Sequence, residues 1–233
     1  MSVASVSFSA TKATQARHAK NRIMKPFIND DFMLDSDAAR ELYHGNAEHL
    51  PIIDYHCHLV PQMIAENYQF RDITELWLGG DHYKWRAMRG NGVSEDYITG
   101  NKSSWEKFQK WAETMPYLMR NPLYHWTQLE LSRVFGIDKL LSPATAAEIF
   151  EECNAKLATE EFRGQALIRK FNVETVCPTD DPADDLAYHK QLADSDFSVK
   201  VLPAFRPDKG VNIEKVGFAQ YIQKLSAVVG RPL

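Results

Sequence analysis

The sequence predicts an α/β protein built on a parallel sheet, and three observations carry that expectation. Three apolar, strand-like segments occur, at residues 52–60, 173–181 and 198–208. Helix-like sequence follows each of them, the alternation that βαβ units produce. All three end in polar residues, and the C-terminal ends of parallel strands are where such sheets collect their ligands.

Composition sets the bounds. With 233 residues, 44% of them hydrophobic and 25% charged, the chain is ordinary globular material, long enough for one large or two small domains. A net charge of -4 and a pI near 6.1 argue against a general nucleic-acid binder. No apolar run approaches the roughly 18 residues a membrane span needs, so neither nucleic acid nor membrane is expected as a partner. Cys57, Cys153 and Cys177 make an odd set without CxxC spacing; they read as reduced core thiols of a cytoplasmic protein.

Residues 1–23 are expected to be a disordered or targeting-like extension. The first 25 residues are rich in Ser, Ala and Thr and carry Lys12, Arg17, Lys20, Arg22 and Lys25 with no acidic residue. That composition is like a transit peptide but lacks a convincing amphipathic repeat. The fold is expected over residues 24–233.

"DSDAARELYHGNAEHL" gives a short helix with Ala38, Leu42 and Tyr43 on one side, and Pro51 stops it and feeds the first strand. "IIDYHCHLV" is apolar nearly throughout, as a strand covered on both faces reads. Because side chains alternate along a strand, His56 and His58 share a face. Two neutral imidazoles so placed point to one divalent ion, the alternative being a pair of hydrogen-bonded core histidines.

A helical insertion is expected over about 61–171. "DITELWLGG" closes on glycines, and "DHYKWRAMRGNG" starts with Asp81 as N-cap and ends on Gly90. Trp105, Phe108 and Trp111 recur at helical spacing, as do Leu123, Trp126 and Leu129, and Pro143 suits a first helical turn. These aromatic stripes read as core packing. A helix over "TEEFRGQALIRKF" leads into the second strand, "VETVCPTDD", and one around "DDLAYHKQLA" precedes the third, "SVKVLPAFRPD". The last helix places Ile213, Val216, Tyr221 and Leu225 on one stripe. Three strands fall short of the eight of a closed (β/α) barrel. That leaves either a small open sheet with a helical cap or the first part of a barrel.

The strand ends bring together His56 and His58, then Thr179, Asp180 and Asp181, then Arg206 and Asp208. Such a rim suits a small, negatively charged, oxygen-rich substrate, with arginine pairing a carboxylate. The aspartates of "TDDP" also suit a turn or helix start, and Arg206 in "FRPDKG" suits a turn equally well. On "DHYKWRAMRG", Tyr83 beside His82 would serve acid/base chemistry on a sugar, against the competing reading of a basic surface helix.

Taken in order, "MKPFINDDFML", "PIIDYHCHL", "GGDHYKWRAMRGNG", "PTDDP" and "FRPDK" resemble the N-terminal half of uronate (glucuronate) isomerases of the amidohydrolase superfamily, over nearly all of residues 24–233. The resemblance implies a partial (β/α)8 TIM-like barrel, its first three βα units, with a large helical insertion after strand 1. It implies aldose–ketose isomerisation of D-glucuronate to D-fructuronate and of D-galacturonate to D-tagaturonate, with a small sugar acid as partner and self-association left open. By the same resemblance His56 and His58 are metal ligands, zinc being the expected ion, Tyr83 is the proton-transfer group, and His82 and Arg206 bind substrate. The family's metal-binding aspartate and an adjacent arginine belong to the last barrel strand. The completing aspartate ligand is therefore absent from these residues, and an incomplete isomerase is expected. A metal-dependent hydrolase of the same superfamily shares the His-x-His strand, and an inactive fragment acting as an interaction module is a further alternative; "DHYKWRAMRG" favours the isomerase.

Overall fold

The structure is a computed structural model and describes residues 26–233; the extension expected at residues 1–23 lies outside the described residues. Helix α1 (Asp37–Leu42) starts where the Ser36 hydroxyl accepts the Ala39 N–H, and it runs into a π-helical turn at Tyr43–Ala47. Strand β1 (Ile52–Cys57) follows. The insertion then supplies α2 (Pro61–Ala65), α3 (Ile73–Leu78), α4 (His82–Gly90), α5 (Ser104–Thr114), α6 (Pro122–Arg133), α7 (Ala146–Leu157) and α8 (Gly164–Lys170). After it come β2 (Val173–Asp180), α9 (Ala187–Ala193), β3 (Lys200–Val201), β4 (Ala204–Phe205), α10 (Asp208–Val211) and α11 (Phe218–Val229).

Four of the insertion helices, α3 to α6, begin where side chains satisfy the first backbone donors. Asp72 accepts from Glu75 N–H and Asp81 from Tyr83 and Lys84 N–H, Ser103 and Glu106 close a capping box, and Asn121 caps α6 just ahead of Pro122. Phe108 and Trp111 of α5 sit at the centre of the insertion's own core with Ile73, Met88, Leu131 and Ile149. A second, separate core holds Ile64, Ile168, Val176, Leu192, Val199 and Val201, between the sheet and the helices α2, α8 and α9.

The expected stripe on α6 is turned. Leu123 is buried, but its companions are Thr127, Gln128 and Leu131, and Trp126 is 53% exposed. The cause is polar: the Gln128 amide oxygen accepts the Leu141 N–H at 2.9 Å, holding the connection to α7 from inside. Two other boundaries also move. Pro143 lies in the turn before α7. The last helix begins only at Phe218, because Gly217 adopts φ +96° and breaks the run, so Ile213 and Val216 are exposed while Tyr221 is buried.

The sheet is parallel, in the order β1-β2-β3, with β4 also paired to β2. The pairs Thr175↔Lys200 and Val176↔Val201 share their offset with Thr179↔Ala204 and Asp180↔Phe205. β3 and β4 are therefore the two ends of the single strand expected at 198–208. Pro203 interrupts it, and by the same offset it faces Pro178, so neither strand has an N–H to donate there. The ladder resumes on both sides, with Leu202 N–H to Val176 O and Arg206 N–H to Asp180 O, each at 3.0 Å.

β1 departs from its expected burial. Tyr55 is 81% exposed and Ile53 is exposed with it, because among the described residues a layer of helices covers one face of the sheet and no strand pairs with the outer edge of β1. Cys57 and Cys177 are half-buried for the same reason, whereas Cys153 of α7 is fully buried. Its thiol is pushed up to about 12 by burial. No helix among the described residues is long and apolar enough to cross a membrane.

Candidate active site at the strand ends

The register between β1 and β2 slips where Asp54 pairs with Val176 and Cys57 with Pro178, so β1 accommodates one extra residue at Tyr55–His56. Bulges of this kind bend a strand and re-aim its side chains next to functional sites. The Asp54 carboxylate steadies this one by accepting the His56 N–H at 3.3 Å. His56 stands on the bulge and His58 just past the strand end, both exposed, with ring centroids 5.2 Å apart and planes at 81°. Two imidazoles on one tetrahedral ion, each with nitrogen about 2.0–2.1 Å from the metal, have centroids roughly 5 Å apart. In donor type and spacing the pair therefore matches two ligands of one ion. No set of three His, Cys, Asp or Glu residues able to hold a metal occurs among the described residues.

Across the strand pair, Thr179 Oγ1 lies 3.3 Å from His58 Nδ1. The neighbouring aspartates are occupied differently. Asp181 accepts the Ala183 N–H at 2.9 Å and the Tyr221 hydroxyl at 3.0 Å, and its other oxygen lies 3.0 Å from Lys209 Nζ. Burial works against its ionisation, but these donors together hold its carboxyl below the ordinary range. Asp181 thus ties β2 to α10 and α11, the turn role open to it in the sequence. Asp180 Oδ2 faces His189 Nε2 of α9 at 3.3 Å, too poorly aligned for a hydrogen bond, so neither buried atom has a hydrogen-bond partner among the described residues. Burial pushes the Asp180 carboxyl up, against the pull of His189. Arg206 emerges at the end of β4, exposed, its guanidinium paired with Asp208.

His82 and Tyr83 occupy the first turn of α4. Asp81 organises this turn, accepting the Tyr83 and Lys84 N–H groups at 2.9 and 3.0 Å and the Lys84 ammonium at 2.7 Å. Lys84 is only 7% exposed. Burial raises the pKa of Glu130 on α6, and the charge of Lys84 opposes the rise. The His82 ring meets Trp85 edge-on at 4.8 Å. Tyr83 is 68% exposed, with the Arg86 guanidinium 5.9 Å from its ring centre.

The structure thus sets His56 beside His58 and places Arg206 on the same end of the sheet. No hydrogen bond or ion pair among the described residues joins His82 or Tyr83 to either. An apolar cavity of about 530 Å³ between sheet and insertion is lined by Ile52, Asp54, Trp77, Lys84, Glu130 and Val176, among others, and by none of the expected site residues. Sequence reasoning missed the Thr179–His58 contact and the buried His189. Strand-end position was the only signal for Thr179, and nothing in the polar helix "LAYHKQLA" marks His189 as buried.

Residues 24–233 match the family described as glucuronate isomerase. A uronate isomerase of Bacteroides thetaiotaomicron is 57% identical over 209 residues, which cover 89% of this chain and 45% of that protein. One from Bacillus licheniformis is 56% identical over 207 residues, covering 89% of this chain and 44% of its own length. Among solved structures, the uronate isomerase of Thermotoga maritima superposes with a TM-score of 0.83 at 40% identity, covering 88% of this chain and 45% of that one. The glucuronate isomerase of Caulobacter crescentus gives 0.80 at 29% identity, covering 87% and 45%. The chain spans about 45% of the length of the relatives it matches. With the match running unbroken from ahead of α1 to the end of α11, this chain belongs to the glucuronate isomerase family.

Proposed function

We propose that these residues form the first three βα units of a (β/α)8 barrel in an isomerase that interconverts D-glucuronate with D-fructuronate and D-galacturonate with D-tagaturonate. The observation that carries this reading is the family match over residues 24–233, a span that contains both the His-x-His strand end and "DHYKWRAMRG". The parallel order β1-β2-β3 and the likeness to two solved relatives support the barrel.

The reaction takes a proton from C2 of the aldose and returns one to C1 through an enediol, while the hydroxyl proton on O2 is lost and O1 gains one. General acid/base groups and a charge-stabilising environment are therefore required. His56 and His58 would hold a divalent ion, zinc, which supplies Lewis-acid polarisation of substrate oxygens. Arg206 would exchange Asp208 for the substrate carboxylate, a charge-assisted and geometrically specific pairing. His82 would hydrogen-bond the sugar, and the exposed Tyr83 phenol would carry the proton. The unpaired thiols of Cys57, Cys153 and Cys177 support a cytoplasmic setting.

The test is a chimera joining residues 24–233 to the remaining part of the Bacteroides thetaiotaomicron uronate isomerase. It should convert D-glucuronate to D-fructuronate, whereas the 233 residues alone, with two imidazoles and no third ligand among the described residues, should not. Tyr83→Phe in the chimera should lower kcat more than it raises KM, the pattern expected of a group acting in the transition state. A folded chimera without isomerase activity would sink the proposal.

A further inference from the structure

We infer that Thr179 is the positioning residue that decides which ring nitrogen of His58 is offered to a cation. The inference rests on His56 and His58 forming a cation site. A neutral imidazole carries one N–H and one lone pair, and the nitrogen that binds a metal must be the one with the lone pair. The other nitrogen then needs an acceptor, and that acceptor fixes tautomer and ring orientation together. Among the described residues, Thr179 Oγ1 is the one hydrogen-bond partner of a His58 ring nitrogen, and it meets Nδ1 at 3.3 Å. If the hydroxyl accepts the Nδ1 proton, Nε2 is left with its lone pair bare.

The placement of Thr179 is built into the sheet. Pro178 pairs with Cys57, which sets Thr179 opposite His58, and Thr179 is itself held from the far side by its pairing with Ala204. The next residue, Asp180, accepts the Arg206 N–H through its carbonyl and packs its carboxylate against buried His189. A β-branched side chain on so fixed a backbone has little χ1 freedom, so the position of its hydroxyl oxygen beside Nδ1 is preset. His56 receives no such contact among the described residues, so the two imidazoles are not equivalent: one is oriented in advance and the other follows.

The 233-residue chain carries the test. Titration with Zn2+ or Co2+ by calorimetry should show binding that His58→Ala removes. Thr179→Val should weaken that binding by about tenfold or more, as loss of an outer hydrogen-bond partner does, whereas Thr179→Ser should stay near the parent. Metal-free chain with 15N-labelled histidine should show the neutral form of His58 protonated on Nδ1. The Thr179→Val variant should shift it toward Nε2, with an unchanged melting temperature. If the parent binds a cation and Thr179→Val binds it equally well, the inference is overturned and the cation site stands. If the parent binds none, the cation reading falls, and the nitrogen signals still decide: a His58 tautomer indifferent to Thr179→Val overturns the inference as well.

Discussion

Asp81 shows how much one carboxylate can do at the start of a helix. It caps α4 through two backbone N–H groups and neutralises a lysine that is almost wholly buried. Burial works to raise its pKa, but Lys84 and the two N–H donors outweigh that and hold it below its ordinary value of 3.8. A carboxylate depressed in the folded state contributes stability that is fully present above the unfolded pKa and is lost as pH falls through the folded one. Asp81→Asn should therefore be less stable than the parent at pH 7, by about 1–2 kcal/mol for a weakened cap and an orphaned ammonium. The gap should begin to narrow as pH falls past about 4, the unfolded value, and keep narrowing as the pH passes down through the lower folded pKa, where the parent loses the same interactions. Urea midpoints at pH 7 and pH 3 check this; a gap independent of pH would mean the charge of Asp81 is not what matters. The capping role is legible in "GGDHYKW", since aspartate before a helical pattern is a standard start signal. The burial of Lys84 is not legible, because lysine is almost never buried unless paired, and the partner's geometry exists only in the fold.

Among the elements, α5 carries the insertion's core. Phe108 and Trp111 are wholly buried, and Phe108 stacks on Trp77 with centroids 6.1 Å apart. Trp111→Ala should cost about 3–5 kcal/mol, the range for emptying a large aromatic site. The buried Trp111 indole N–H has no hydrogen-bond partner among the described residues, so Trp111→Phe removes an unsatisfied donor along with some volume and should cost much less. Chemical denaturation of both variants measures the difference, and equal costs would contradict it. α5 was readable because apolar side chains and helix period agree, with "SSWE" as the start. α6 departs from its expected stripe because Gln128, polar by type, is turned inward to pair with a backbone N–H, a tertiary demand that periodicity does not carry. The third strand was located correctly, but its division into β3 and β4 follows from Pro203 meeting Pro178. That coincidence depends on register, which no single segment reveals.

At the scale of the molecule, one face of the sheet carries exposed Ile53, Tyr55 and Leu202, beside a strand edge unpaired among the described residues. Apolar patches and open edges favour association. Sedimentation should show the 233-residue chain self-associating with concentration, and Tyr55→Lys should reduce this; a monomer at all concentrations would contradict the expectation. The order of elements along the chain has a consequence in time. β1 is made first, yet its partner β2 begins at Val173, more than a hundred residues later. At about 5–20 residues per second of synthesis, β1 waits on the order of ten seconds for β2. The insertion has its own core and can settle during that wait. Joining β1 to β2 then closes a short gap across a folded body instead of a floppy loop, a saving of roughly 2 kcal/mol in closure entropy. Trp111→Ala, by loosening that body, should slow the late step in refolding at which the two strands meet. The helices between β1 and β2 thus act as a timer and a splint, deciding when His58 and Thr179 first come within reach of each other.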